Sequence, residues 1–318
     1  MGDILNTEDT ELPDTEDTEL PIAVTEQNNV SIGIIITNYN DGGCLPVQLD
    51  SIAAQVVLPD EVILIDDGST DNSKPVMAKF RNDHPEINVK LIFHNQNAGV
   101  VRRCNQGLYA STSQYLYFTG SDDFIYPTFI KEHKTALQES PVDEGCHCED
   151  CKHKNYAQFK LSCSANFRDR KFITAQEFTF SNYASVPGHC TCVDREILIE
   201  AGGFNPILEA QCDWFAHMMA ANKYGFYSIP TMLSGVQHIP RGKTRTSYAT
   251  GFKETKENIY IAKEMVRMIR QEENKSFSLK MLTLCMDRFR FSPDWLRVIV
   301  DAYLEERQLR ISERPEEE

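Results

Sequence analysis

Two adjacent acidic residues, Asp122 and Asp123, come shortly after an apolar run, Tyr115–Phe118. The run has the composition of a buried strand, and Pro127 opens a helical pattern beyond the acids. In an open α/β sheet, ligands bind in the crevice beyond the carboxyl ends of the strands. Neighbouring carboxylates repel each other unless a cation or a proton lies between them. The pair therefore predicts a site for a hard divalent cation that also binds phosphate oxygens, and two solvated acids in a turn are the alternative.

The segments that must position these acids alternate between strand and helix patterns. Apolar strand patterns cover residues 30–37, 62–65, 89–93 and 115–118, and helical spacing begins near Leu45, Ser73 and Gly99. This alternation at short loop lengths predicts an α/β fold with a mainly parallel, doubly wound sheet. No GxGxxG follows the first strand, and the chain has no GxxxxGK[ST] motif. A dinucleotide site of the Rossmann type and a P-loop are therefore both disfavoured.

Polar residues follow the ends of three of these strands, which predicts that they converge on one crevice. They are Thr37, Tyr39, Asp66, Asp67, Asp122 and Asp123. With these residues, five segments resemble family 2 glycosyltransferases in order and spacing. The segments are Val30–Asn40, Ile65–Asp71, Asn97–Gly107, Ser121–Asp123, and Glu200–Phe204 with Asp213 downstream.

The resemblance implies the GT-A fold, a Rossmann-like, mainly parallel twisted sheet with flanking helices, over residues 30–250. It implies an inverting enzyme that transfers a sugar from a nucleoside diphosphate donor. Residues 251–318 are predicted to be a helical C-terminal extension, because Ile259, Ala262, Met265, Val266 and Ile269 form an apolar stripe at helical spacing.

Several donor contacts are implied by the same resemblance. The carboxylate of Asp67 accepts the N3–H of uracil, while Thr37 and Tyr39 flank the base. The neighbouring Asp66 either belongs to this site or bonds the backbone of its own Asp-Gly-Ser turn.

The helix after the third strand supplies further donor contacts in related enzymes. Here the matching residues are Asn105 and one of Arg102 and Arg103, which the sequence does not distinguish. Ordinary solvated side chains on an exposed helix face are the alternative.

The resemblance places Mn²⁺ or Mg²⁺ on Asp123, with Asp122 nearer the ribose or a metal-bound water. His238, in a basic loop that continues to Arg245, is a further candidate ligand. Many family members have Asp-x-Asp-Asp here, whereas Gly120 stands at the first position of this motif. The ligand set is therefore one acid short. The basic loop suits phosphates, and an ordinary exposed loop is the alternative.

Asp213 is the candidate catalytic base, since inversion needs one carboxylate to deprotonate the attacking hydroxyl. The usual Glu-Asp pair is reduced to Cys212-Asp213. A helix N-cap is the alternative role for Asp213, because an apolar helical run follows it.

A cysteine-rich insert, at about residues 140–170, is not required by the family pattern. Cys146, Cys148, Cys151 and Cys163 carry the ligands that structural Zn²⁺ prefers, although their spacing is not that of a standard finger. Cys190 and Cys192 are alternative ligands. Reduced thiols and a redox pair are the other interpretations.

Charge is concentrated at the two ends of the chain. The formal net charge is −15, and residues 1–29 hold nine acids with no Lys or Arg, so a disordered acidic tail is predicted there. The near-neutral body lacks the basic face that nucleic-acid binding needs. No apolar run is long enough to cross a membrane, and no signal pattern opens the chain, so a cytoplasmic protein is predicted.

These observations predict a metal-dependent glycosyltransferase that moves a sugar, by default from a UDP-sugar, to a hydroxyl of a glycan or lipid-linked acceptor. The C-terminal helices serve acceptor binding, contact between two copies, or peripheral membrane docking. A non-catalytic sugar-nucleotide-binding module and a sugar nucleotidyltransferase are the alternatives. The second lacks support because no Gly-rich basic loop follows the first strand.

Overall fold

The computed structural model describes residues 30–138, 160–165, 167–178, 186, 188–237, 256–272, 275–288 and 293–312. The predicted acidic tail, His238 with its basic loop, and Cys146, Cys148 and Cys151 of the insert lie outside the described residues.

The first half of the chain folds as the strand and helix patterns predict. The strands are β1 (Ile32–Asn38), β2 (Glu61–Asp66), β3 (Val89–Phe93) and β4 (Tyr115–Gly120), and the helices are α1 (Leu45–Ala53), α2 (Ser73–Asp83) and α3 (Val100–Ala110). All neighbours in the order β3-β2-β1-β4 are parallel. Every residue of β1 and β2 is buried, which explains why their apolar runs are continuous rather than alternating.

The second half completes an eight-stranded sheet whose order continues β4-β8-β6-β9-β7. Here the strands are β6 (Leu161–Ser164), β7 (Lys171–Ile173), β8 (Thr191–Asp194) and β9 (Phe226–Ile229). β8 runs antiparallel to β4 and to β6, while β6 and β9 are parallel. β5 (Asp123–Ile125) and β10 (Ser234–Val236) form a separate antiparallel pair. The sheet is therefore parallel in its first half and mixed in its second.

Helices cover both faces of this sheet and then extend beyond it. α4 (Phe129–Gln138), α5 (Arg195–Glu200) and α6 (Cys212–Tyr224) belong to the sheet region, and α7 (Lys256–Arg270), α8 (Lys275–Arg288) and α9 (Pro293–Ser312) follow it. Four of the five residues of the predicted stripe, Ala262, Met265, Val266 and Ile269, are buried and share one apolar cluster with Phe215 of α6, while Ile259 is half-buried. Among the described residues, no helix is long and apolar enough to cross a membrane.

Two hydrophobic clusters lie on the two faces of the sheet. Ile35 and Leu116 belong to one cluster, whereas Ile34, Ile36 and Tyr117 belong to the other. Successive side chains of a strand point to opposite faces, so the central strands contribute to both clusters. The central strands are thereby held from both sides, and their carboxyl ends provide a rigid edge for a site.

Helix α3 approaches this sheet very closely at one glycine. A Cβ added to Gly107 would lie only 2.3 Å from Cγ2 of Ile35 on β1. Only a residue without a Cβ permits this approach, because core side chains are packed too tightly to move aside freely.

We expect Gly107→Ala to lower the free energy of unfolding by about 1–2 kcal/mol, because overpacking outweighs the better helix propensity of alanine. Urea denaturation monitored by circular dichroism measures this change. Gly43→Ala is the matched control, since Gly43 is exposed and its added Cβ would meet nothing within 4 Å. A Gly107→Ala variant as stable as the control would contradict the close contact.

Candidate functional site

The ends of three neighbouring strands place the predicted residues at one edge of the sheet. Thr37 of β1 is paired with Ile65 of β2 on one side and with Gly120 of β4 on the other. The residues that follow the two outer strands, Asp67 and Asp122, therefore leave the sheet at the same edge, on either side of the end of β1, as the sequence predicts.

Asp67 is a buried carboxylate held by an arginine and two backbone amides. Its Oδ1 accepts hydrogen bonds from Nε of Arg103 at 2.6 Å and from the amide of Ala98 at 2.9 Å. Its Oδ2 accepts from the amide of Gly99 at 2.8 Å. Both ionic side chains are almost fully buried, so each depends on the other for compensation of its charge.

The structure distinguishes the two arginines that the sequence leaves open. Arg103 forms the ion pair with Asp67, whereas Arg102 is exposed on α3. A donor contact from this helix is therefore expected from Arg103, and the assignment to Arg102 has no contact in its favour within the described part of the chain.

The neighbouring Asp66 joins loops rather than facing a ligand. Its Oδ1 accepts from the amide of Ser69 at 2.9 Å, and its Oδ2 accepts from Nδ2 of Asn38 at 3.1 Å. The side chain is fully buried. Of the two predicted roles, the structure favours the bond to its own Asp-Gly-Ser turn.

Asp123 is also buried, and one of its oxygens is already engaged. Oδ2 accepts from Oγ1 of Thr119 at 2.9 Å and from the amide of Gly120 at 2.8 Å. Burial raises the pKa of Asp123 above its ordinary value, and the like charge of Asp122 adds to the rise, while these hydrogen bonds oppose it. A nearby positive charge would therefore favour the ionised form of Asp123.

Glycine at position 120 makes room for the acidic pair. A Cβ added there would lie 2.8 Å from Oδ1 of Asp122. The first acid of the common motif would thus collide with the observed position of Asp122.

The acidic pair partly fits a divalent cation. Asp122 and Asp123 supply hard oxygen ligands, which Mn²⁺ and Mg²⁺ prefer. Within the described residues, however, no group of three or more His, Cys, Asp or Glu side chains is arranged to hold a metal. Two carboxylates alone agree with a cation that completes its coordination shell with phosphate oxygens and water.

Asp213 lies in the first turn of α6 and packs against a glycine. Helix α6 begins at Cys212 after the cap residue Gln211, so Asp213 is not the N-cap that the alternative interpretation proposes. Its Oδ1 accepts from the amide of Trp214 at 2.6 Å. A Cβ added to Gly188 would lie 2.1 Å from its Oδ2, so the second oxygen rests directly on the glycine backbone.

A thiol connects the predicted base to the end of β1. Burial raises the pKa of Cys104 to about 12, and the carboxylate of Asp213 adds to this rise, whereas a hydrogen bond with Thr37 opposes it. Thr37 and Asp213 therefore both lie near Cys104, although the three residues belong to β1, α3 and α6. This arrangement is consistent with a predicted base near the end of β1.

His217 lies one helical turn beyond Asp213 and is fully buried. Neither ring nitrogen has a hydrogen-bond partner within the described part of the chain. Burial lowers the pKa of His217 from 6.5 to about 4, and the carboxylate of Asp213 opposes the shift. The ring is therefore neutral at physiological pH.

Two other predicted donor residues have different surroundings. The amide of Asn105 donates to the carbonyl oxygen of Phe204 and accepts from the Phe204 amide, both at 2.8 Å, so it ties α3 to the Gly-Gly-Phe segment. Tyr39 is 48% exposed beyond β1, with its aromatic face accessible to a ligand. Asn105 therefore holds two segments of the protein together, whereas the side chain of Tyr39 is accessible to a ligand.

The one described member of the predicted zinc set is a core residue. Cys163 lies within β6 and is fully buried, and burial raises its pKa well above the ordinary value. A zinc ligand must be a thiolate, which such an environment disfavours. The zinc site remains a sequence-based prediction, and Cys163 is its weakest member.

The sequence motifs do not assign the turn Gly188–Cys190 or Gln237 to this site, although Cys190 is one of the alternative zinc ligands. Gln237 donates from Nε2 to the backbone oxygens of Cys44 and Asp123, both at 3.1 Å, and its amide donates to the oxygen of Asp122 at 2.7 Å. These residues reach the site through antiparallel pairings made late in the chain. The spacing of residues in the sequence does not predict which strands pair in this way.

The sequence model of glycosyl transferase family 2 matches residues 33–202, just over half of the chain. The uncharacterized glycosyltransferase YibD of Escherichia coli (strain K12) is 31% identical over 121 residues. These residues are 38% of this chain and 34% of YibD, so the similarity spans about a third of that relative.

Solved structures of related shape include TarS of S. aureus in complex with UDP-GlcNAc, with a TM-score of 0.66 and 15% identity over 86% of this chain and 82% of that chain. The mannosyltransferase PcManGT of Pyrobaculum calidifontis, in complex with GDP-Man and Mn²⁺, has a TM-score of 0.54 and 17% identity over 85% and 73%. At such identities the likeness is one of fold, and it confirms the predicted GT-A architecture.

We expect Arg103→Leu to lower the free energy of unfolding by about 3 kcal/mol, because it leaves the buried carboxylate of Asp67 without its cation. Chemical denaturation measures the loss. Arg102→Leu, at the exposed neighbouring position, is the control and is expected to change stability by less than about 0.5 kcal/mol. Equal effects of the two substitutions would show that the pair does not form.

We expect acid to destabilise the wild type more than a His217→Phe variant. Between pH 6.5 and about 4 the unfolded chain protonates this histidine while the folded chain does not, so folding stability falls as the pH is lowered through this window. Urea midpoints measured from pH 7.5 to 4 report the difference. A His217→Phe slope equal to that of the wild type would refute a buried neutral ring.

Proposed function

Because this chain belongs to glycosyl transferase family 2, we propose that it transfers a sugar, with inversion, from a nucleoside diphosphate donor to an acceptor hydroxyl. The observation that carries this proposal is the convergence of three groups on one sheet edge. These groups are the Asp67–Arg103 pair, the acids Asp122 and Asp123, and the half-buried carboxylate of Asp213.

The nucleobase is proposed to lie against the Asp67–Arg103 pair. Uracil presents an N–H donor beside a carbonyl acceptor, and a carboxylate next to a guanidinium offers the complementary acceptor and donor. The carboxylate already accepts from Ala98, Gly99 and Arg103, so its position is set before any ligand arrives. Exposed Tyr39 supplies an aromatic face for stacking. A UDP-sugar is therefore the proposed donor.

The diphosphate is proposed to lie at Asp122 and Asp123. These two carboxylates would hold Mn²⁺ or Mg²⁺, which would supply positive charge for the leaving nucleoside diphosphate. The raised pKa of Asp123 supports this location, since burial next to another acid leaves its ionised form in need of a counter-charge. The Mn²⁺ bound with GDP-Man by the structural neighbour PcManGT agrees with a divalent cation.

Asp213 is proposed as the base that accepts the proton of the acceptor hydroxyl. In an inverting reaction the attacking oxygen approaches the sugar from the face opposite the leaving group, so the base must lie across the sugar from the phosphates. One oxygen of Asp213 is occupied by the Trp214 amide, and the other lies at the Gly188 backbone. The carboxylate is therefore fixed in direction before the acceptor binds.

We further propose a glycan or lipid-linked acceptor and a role in glycan or cell-surface polysaccharide synthesis in the cytoplasm. The C-terminal helices that pack beside α6 are the elements proposed to contribute to acceptor binding, because α6 carries Asp213.

We expect Asp213→Asn to reduce donor turnover by about 10²–10⁴-fold, because the amide cannot accept the proton. Release of UDP from UDP-GlcNAc and UDP-glucose in the presence of Mn²⁺ measures turnover, and calorimetry measures UDP binding, which should be retained. Glu209→Gln, an exposed acid shortly before α6, is the matched control. If the wild type binds UDP but releases none from either donor, a non-catalytic binding module is supported instead.

A further inference from the structure

We propose that His189 contacts the transferred sugar and helps to select it by hydrogen bonding to a sugar hydroxyl. This inference deepens the proposed function and rests on it. It comes from the short turn Gly188–Cys190, which connects the cation carboxylates to the candidate base.

The sheet topology brings this turn to the site. β8 begins at Thr191 and runs antiparallel to β4, with Cys192 paired to Tyr117. The residues before Thr191 therefore lie beside the carboxyl end of β4, where Asp122 and Asp123 follow.

The backbone of the turn is held on the side of the cation carboxylates. The carbonyl oxygen of His189 accepts from Oη of Tyr117 at 3.1 Å and from Oγ of Ser234. Ser234 belongs to β10, which pairs with the strand that begins at Asp123. The carbonyl of His189 is thereby tied to the segment that carries Asp123, and the His189 side chain is half-buried.

The other end of the turn meets the candidate base. The Cα of Gly188 faces Oδ2 of Asp213 so closely that no side chain fits between them. Two consecutive residues thus contact opposite ends of the site. Gly188 contacts the carboxylate that faces the acceptor, and His189 lies by the carboxylate that faces the diphosphate.

The geometry of inversion places the sugar between these two ends. The attacking oxygen, the anomeric carbon and the leaving oxygen lie roughly in line, so the sugar ring must occupy the gap between Asp213 and Asp123. The turn Gly188–Cys190 borders this gap. The imidazole ring of His189 carries two nitrogen atoms that can form a hydrogen bond with a sugar hydroxyl, and a hydroxyl can either donate or accept.

The test compares UDP with UDP-sugars, because only the latter carry the group that His189 is proposed to contact. Calorimetry with Mn²⁺ gives Kd values for UDP, UDP-glucose, UDP-GlcNAc and UDP-galactose. In His189→Ala the affinity for the best UDP-sugar is expected to fall about fivefold, the worth of one hydrogen bond, with UDP affinity unchanged. His189→Gln should retain part of the sugar affinity, and the surface variant His84→Ala should retain all of it.

Two results would overturn the inference while leaving the proposed function intact. One is an unchanged ratio of UDP-sugar to UDP affinity in both His189 variants, with melting curves showing that they fold. The other is an equal loss for UDP and UDP-sugars together with weaker Mn²⁺ binding, which would make His189 a cation ligand. A wild-type protein that binds none of the four nucleotides would overturn the proposed function itself, and the inference with it.

Discussion

The parallel pairing of β1 between β2 and β4 is the constraint on which the rest of the structure depends. Thr37 lies in register with Ile65 and Gly120, so the chain leaves all three strands at the same level. Each strand is buried on both faces, and a shift of one residue would turn apolar side chains to the wrong cluster. The position of the carboxylates is thus determined by hydrophobic packing rather than by their own interactions.

Carboxylates that lie close together at one edge of the sheet repel each other, and the charge of each one is compensated in a different way. Asp66 is compensated by hydrogen bonds from Ser69 and Asn38 and by the ammonium of Lys74 at 3.6 Å, and Asp67 by the buried guanidinium of Arg103. Among the described residues, the hydrogen-bond donors to Asp123 are the neutral Thr119 hydroxyl and Gly120 amide, and burial raises its pKa. The charges of the first two carboxylates are therefore compensated within the protein, whereas the third has the strongest need for a bound cation.

Glycines provide the space that these charged groups require. A Cβ at position 120 would crowd Asp122, and a Cβ at position 188 would crowd Asp213. The missing Cβ of Gly107 lets α3 approach β1 closely enough for Arg103 to reach Asp67. In each case the space left by the absent side chain is occupied by another residue.

Local sequence patterns are sufficient to predict the strand–helix alternation, the burial of the first strands and the grouping of polar residues at their ends. These features arise from local periodicity and from the rule that parallel strands end together, and the structure confirms them. The folded chain was needed to show that Arg103 rather than Arg102 reaches Asp67, that Asn105 binds the Phe204 backbone, and that the Gly188–Cys190 turn lies beside the end of β4. The reason is that adjacent helical residues differ by 100° in direction, and contacts made across β8, β10 and α6 join segments far apart in the chain. No local pattern records which face of α3 meets the loop at 96–99, or which late strand pairs beside β4.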